Sequence, residues 1–209
     1  MTVYGKDEKA KMLSGKLYHV SGDERLAADE KKCRRLVRLY NALTEDEKAQ
    51  RLPLLKQLLG GCGTRCTFEP PVHFDYGCHT YIGEHFYANF DCVILDVCKV
   101  TIGEQVRLGP RVSIFTVGHP IDPDVRAEGF CCGKPVTIGN NVWVGGHTVI
   151  NPGVTIGDNT VIGSGSVVTK DIPPNVIAAG VPCRVIRAIT PEDRAFWEAQ
   201  REEYLATNE

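Results

Sequence analysis

Residues 138–167 read IGNNVW VGGHTV INPGVT IGDNTV IGSGSV when broken every six positions. An aliphatic residue opens each hexad: Ile138, Val144, Ile150, Ile156 and Ile162. A small or short polar residue follows each one: Gly139, Gly145, Asn151, Gly157 and Gly163. Neither the 3.6-residue helix period nor simple strand alternation generates this pattern. A repeat this regular marks a solenoid. Each hexad supplies one short strand and a corner, and three hexads make one triangular coil. The aliphatic positions point inward and stack on their counterparts in adjacent coils, while Gly and Asn suit corners with unusual torsions. One coil cannot bury its apolar side alone, so the stack is stable only as a whole.

Working upstream, the period continues with more variation. Ile102, Leu108 and Ile114 form one run; Pro70, Tyr76, Ile82, Ala88 and Ile94 form another, offset by two residues. The offset predicts an insertion near residues 96–101. Between Gly118 and Lys134 the ladder stops: GHPIDPDVRAEGFCCGK carries Pro, Gly and charges instead. The expectation is a loop of about one coil's length, leaving the stack over residues 118–134. Long excursions from rigid scaffolds often carry function.

The flanks read as helical. Within residues 1–60, Leu26, Cys33, Leu36, Val37 and Tyr40 fall near helical spacing. Thr44 with Glu47 forms a capping box, Pro53 divides the next segment, and Gly60-Gly61 ends it. Thr190-Pro191-Glu192-Asp193 is a helix start. The final helix is expected to cover the end of the stack, with the ladder stopping at Val185 or Ile186. The resulting division is a helical segment over 1–60, a β-helix over 61–187 and a C-terminal helix over 188–209.

Composition bounds the function. The 209 residues carry a net charge of −2, with 24 % charged and 43 % hydrophobic residues. This gives no global electrostatic case for a nucleic-acid partner. No apolar run reaches the ~20 residues of a membrane span. The opening MTVYGKDEKAKM lacks the apolar stretch of a signal peptide, so a cytoplasmic location is expected. The nine Cys, at 33, 62, 66, 78, 92, 98, 131, 132 and 183, have neither disulfide-framework nor zinc-finger spacing. They are expected to be reduced and mostly buried.

Among candidate chemical groups, His119 stands at the root of the excursion and off the ladder. A neutral imidazole can take a proton from an alcohol near neutral pH. His73, His79 and His85 recur every six residues, but such positions lie on different faces of a triangular coil, so no shared metal site is expected; His147 is similarly unpartnered. Asp75, Asn89, Asp91 and Asp96 fall where the repeat is loosest and suit either corners or a polar ligand. Thr169, Lys170, Arg184 and Arg187 cluster near the end of the ladder, as a solvated rim or as a site for an anionic ligand carrying phosphates. There is no P-loop and no GxGxxG motif.

Several stretches resemble the maltose and galactoside O-acetyltransferases of the hexapeptide-repeat superfamily. They are residues 151–187 (NPGVTIGDNTVIGSGSVVTKDIPPNVIAAGVPCRVIR), FYANFDCVILDV at 86–97, GHPIDP at 118–123 and GKPVTIGNNVWVGG at 133–146; KMLSGKLY at 11–18 resembles the maltose type. The resemblance runs from about residue 9 to 187. It implies a left-handed parallel β-helix, an exception to the usual right-handed crossover. It further implies transfer of acetyl from acetyl-CoA to a sugar such as glucose, maltose or a galactoside, without a required metal, in a homotrimer with shared sites. In that family the His of the GHP motif is the general base, here His119. Acceptor contacts match Asp75, Asn89 and Asp96. Coenzyme contacts match Gly146, Ser164, Thr169, Lys170, Arg184 and Arg187, with Trp143 lining the channel. The galactoside type has an acceptor-binding carboxylate shortly after the G-K-L-aromatic motif. Here that stretch is His19-Val20-Ser21-Gly22, with Asp23 the first acid. Competing readings are a non-sugar acceptor, a covalent route through Cys131, Cys132 or Cys183, a zinc-dependent carbonic anhydrase of the gamma type, and a non-catalytic β-helix binding protein.

Overall fold

The computed structural model describes residues 7–207. The parts of the expected terminal helical segments that fall on residues 1–6 and 208–209 lie outside the described residues. Three parallel sheets form the three faces of a β-helix. On the first, Cys62, Ile82, Ile102, Ile138 and Ile156 are in register. On the second the row is Phe68, Ala88, Leu108, Val144, Ile162 and Ala178. On the third it is Phe74, Ile94, Ile114, Ile150 and Val168. Nearly every one of these side chains is buried in a single continuous core. A second inward row stands two residues earlier in each strand. It holds Val100, Val106, Val112, Val136, Val142 and Val154, then the buried hydroxyls Thr148, Thr160 and Ser166. Each of those hydroxyls donates to a carbonyl of a neighbouring corner, as burial demands.

Corner chemistry follows the repeat. His85, Gln105, Asn141, Asn159 and Asn175 all have φ between 55° and 61°. Asn141 donates to Asn159 at 3.2 Å and Asn159 to Asn175 at 2.9 Å, which ties successive coils. His85 and His147 are therefore corner residues in the left-handed region. His73 is an exposed mid-strand residue on the third face, so His73, His79 and His85 are spread around the coil as their spacing predicts.

The upstream register differs from expectation at its beginning. Pro70 and Tyr76 are not ladder residues; Phe68 and Phe74 are. The first two coils each take two extra residues at the corner after the third face, so counting back in sixes from Ile82 stops two residues short of each ladder position. Only the later insertion, at residues 96–101, announces itself in the sequence.

The N-terminal elements are α1 (Glu8–Leu13), a strand at Tyr18–His19, α2 (Glu24–Asn41), a 3-10 turn at Glu45–Gln50 and α3 (Arg51–Leu58). Leu26, Cys33, Leu36 and Tyr40 of α2 are buried, and those after Leu26 join the first coil's core. The Thr44 amide donates to Glu47 at 3.0 Å. Pro53 stands in the first turn of α3, where its missing N–H costs no helix bond. The two-residue strand has no period of its own and escaped the sequence reading.

The excursion is a hairpin. Val117–Gly118 pairs antiparallel with Cys132–Gly133, and Phe130–Cys131 pairs with Tyr18–His19. Its tip carries α4 (Pro123–Ala127), capped by Asp122. The ladder steps from Ile102 to Ile138, two coil lengths, across this insertion without losing register.

At the far end the last ladder position is Ala178, not Val185 or Ile186. Those two are exposed, on a strand (Arg184–Ala188) that turns back antiparallel along Val176–Ala179. This reversed strand closes the second face. The final helix α5 (Pro191–Ala206), with a Thr190–Asp193 capping box, buries no side chain and does not cover the stack. Among the described residues no helix is long and apolar enough to cross a membrane, and all nine thiols are free.

Candidate active site

The hairpin root, the Tyr18–His19 strand, α2 and the enlarged third corners enclose a cavity of about 350 Å³. Tyr18, Val20, Leu26, Tyr76, Val97 and Val117 supply its apolar walls; Asp75 and Glu30 supply carboxylates. Cys131 also lines it, and Cys131 Sγ lies 3.5 Å from His119 Nδ1. His119 is exposed. The catalytic candidate thus stands beside a cleft with an apolar wall and acidic groups, a form suited to a small ligand with both kinds of surface.

Asp75 follows Phe74 at the third corner. Burial, reinforced by the nearby Asp96 charge, lifts its carboxyl to about 6. Asp96 is different from expectation. It is fully buried, and its oxygens accept from the Tyr76, Gly77 and His79 amides at 2.9, 3.0 and 3.2 Å and from Thr80 Oγ1 at 2.9 Å. Its acceptor capacity is spent on the corner that displays Asp75 and Tyr76. We therefore correct its assignment from ligand contact to the floor beneath the cleft. Its backbone carbonyl oxygen also lies 2.7 Å from His79 Nδ1.

Of the two candidates near the N-terminus, Val20 lines the cavity. Asp23 caps α2 and is held far below the usual carboxylate range by the Arg25 guanidinium and the Lys9 amide. His19 anchors the strand to the excursion: its Nε2 is 2.9 Å from the Glu128 oxygen, and its ring meets Phe130 edge-on. Tyr18, Leu26, Glu30, Tyr76, Val97 and Val117 were not singled out from the sequence as site residues. The packing of α2 and the short strand against the corners brings them together, and no sequence period encodes that packing.

The remaining candidates fall into two groups. Asn89, Gly146 and Ser164 follow second-face strands, at the corner between the second and third faces; Arg184 pairs with Ala179 at the same edge. Trp143 projects from the second face, 56 % exposed. Thr169 and Lys170 follow Val168, at the corner in line with Asp75. The third face separates the two groups, so one chain does not bring Asn89, Gly146 and Ser164 to Asp75 and His119. Gly145 and Gly146 are dictated by close stacking: a Cβ at Gly145 would meet Ser164 N at 2.5 Å, and one at Gly146 would meet Pro110 O at 3.0 Å. Arg187 is held by Asp193 through two bonds of 2.5 and 2.8 Å.

Among the described residues one trio gathers metal-type donors within 4.8 Å: Asp29, Cys78 and His79. Asp29 is already ion-paired to Lys9 at 2.5 Å, and His79 Nδ1 is already engaged by the Asp96 carbonyl oxygen.

Comparison with known proteins agrees with this architecture. Residues 11–63 match the maltose acetyltransferase hexapeptide capping motif, and residues 135–170 match the bacterial transferase hexapeptide (six repeats). The galactoside O-acetyltransferase of Escherichia coli K12 is 46 % identical over 76 % of this chain and 78 % of its own. A crystal structure of a maltose O-acetyltransferase from Clostridium difficile 630 is 52 % identical, with a TM-score of 0.86, over 88 % of this chain and 97 % of that one. A galactoside acetyltransferase in complex with coenzyme A is 46 % identical, with a TM-score of 0.88, over 91 % and 94 %. On its hexapeptide ladder, its capping motif and this degree of identity, the chain belongs to the maltose and galactoside O-acetyltransferase family of hexapeptide-repeat transferases.

Proposed function

We propose that this protein transfers acetyl from acetyl-CoA to a hydroxyl of a sugar, with His119 as general base in a ternary complex. The observation that carries the reading is His119 against Cys131, which lines a cleft together with Asp75 and Glu30, in a chain of this family. Asp75 and Asn89 bind the acceptor. His119 Nε2 takes the hydroxyl proton as the oxygen attacks the thioester carbonyl. The tetrahedral oxyanion collapses, the C–S bond breaks, and the leaving thiolate receives the proton from Nε2. Holding both substrates together supplies much of the acceleration.

Acetyl-CoA is a co-substrate, bound by Trp143, Gly146, Ser164, Thr169, Lys170, Arg184 and Arg187, with no metal required. Their separation across the third face supports a homotrimer: the corner bearing Asn89, Gly146 and Ser164 in one copy faces the corner bearing Asp75 and His119 in the next. Ile121, 95 % exposed at the hairpin tip, is an apolar contact for a neighbour. The modest net charge of −2 fits a cytoplasmic protein acting on small molecules.

Acetyl-CoA consumption against sugars, amines and simple alcohols tests the reading. Sugars should react fastest, and His119→Ala should lower kcat by about 10²-fold or more while the trimer stays intact. Faster turnover of amines than of every sugar would overturn the acceptor class, and near-normal turnover by His119→Ala would remove the base.

A further inference from the structure

Cys131 takes no part in the steps above, yet it is the side chain that touches the imidazole of His119, with Sγ 3.5 Å from Nδ1. The proton between them can run either way, with opposite consequences. A thiol donating to Nδ1 leaves the ring proton on Nε2, where it blocks proton abstraction. A ring N–H donating to sulfur leaves the Nε2 lone pair free.

The surroundings select the second arrangement. The thiol hydrogen has its own acceptor, the Gly129 carbonyl oxygen at 4.0 Å. Tyr18 stands opposite Cys131 in the strand pair. Cys131 is also fixed in place. Its strand is paired on one side to Tyr18–His19 and on the other to Val117–Gly118, and Gly118 immediately precedes His119. Cys131 is 7 % exposed, and burial raises its thiol above the ordinary value. That disfavours the thiolate a nucleophile requires.

We propose that Cys131 is a positioning residue for acetyl transfer: its sulfur accepts the Nδ1–H of His119 and holds the tautomer whose Nε2 takes the acceptor's proton. This rests on His119 acting as the base. During turnover the proton moves from the acceptor hydroxyl to Nε2 and on to the departing thiolate. Nδ1–H stays on the ring, and no bond to the Cys131 sulfur forms or breaks.

The test compares full-length wild type, Cys131→Ser, Cys131→Ala and His119→Ala by kcat, by KM for each substrate, and by nitrogen NMR of labelled histidine. Wild type and Cys131→Ser should carry the neutral-ring proton on Nδ1, with kcat within about threefold of each other. Cys131→Ala should show mixed tautomers and a kcat lower by about tenfold or more, with an unchanged KM for acetyl-CoA. A wild-type proton on Nε2 would overturn the proposal, as would wild-type kcat and tautomer in Cys131→Ala. Loss of activity in a folded Cys131→Ser as complete as in His119→Ala would make Cys131 the nucleophile instead. An active His119→Ala removes the base itself. An inactive His119→Ala beside a normal Cys131→Ala removes only the positioning role.

Discussion

Asp75 shows what one residue's surroundings do to its chemistry. Its carboxyl is lifted to about 6, first by burial and then by the nearby Asp96 charge. The folded state therefore holds this proton more tightly than the unfolded chain. The stabilisation is fully present below the unfolded value near 4 and is lost as pH rises through about 6. Asp75→Asn abolishes this dependence. Relative to wild type, the variant should gain ~1 kcal/mol of stability between pH 4 and 7, after allowance for solvent screening of the partly open site. Urea unfolding at the two pH values measures it. The ionised carboxylate is also the better acceptor for sugar hydroxyls, so the acceptor KM of wild type should fall as pH rises through 6 while KM for acetyl-CoA stays level.

The enlarged corner is the element on which the cleft depends. Asp96 gathers three amides and one hydroxyl there, and Thr116 repeats the device one coil on, accepting from the Cys98 amide at 2.9 Å. Asp96→Ala leaves those donors buried without acceptors. It should cost at least ~3 kcal/mol, read as a drop in Tm, and should disorder Tyr76 and Asp75 above it. The later coils were legible in the sequence because each hexad repeats one physical problem, filling an inward position and then turning. His119 stood out as a candidate because it breaks that pattern. Asp96 looked like a ligand contact because a polar residue at a loose corner serves either a ligand or the corner itself, and only its partners decide. The cavity walls were illegible because they arise where α2 and a two-residue strand meet the stack. The final helix misled because a strong capping box fixes where a helix starts, not what it covers.

At the scale of the molecule, the candidate residues occupy two corners of one triangular prism. A single copy presents half of a proposed site at each of these two corners; in the proposed trimer, one repeated head-to-tail contact would complete three sites. This predicts complementation. His119→Ala and Asn89→Ala trimers, each nearly inactive, should regain activity when dissociated together and reassembled. Random mixing restores up to roughly one site in four. Sedimentation should give a three-copy mass. No recovery in verified mixed trimers would mean that each site lies within one chain.

The pairing of Tyr18–His19 with the excursion has a consequence for the order in which the protein is made. Stacking contacts between coils join residues about one turn apart and form as soon as each turn leaves the ribosome. The contact between His19 and Glu128 spans 109 positions. The Tyr18–His19 strand must therefore wait for the chain to reach Glu128 before it finds its neighbour, and long-range closure of this kind is slow. A nascent stack can stand, by its own local contacts, before its catalytic histidine has been aligned. Activity should therefore lag behind the burial of the core during refolding, the cleft being the last part of the chain to close.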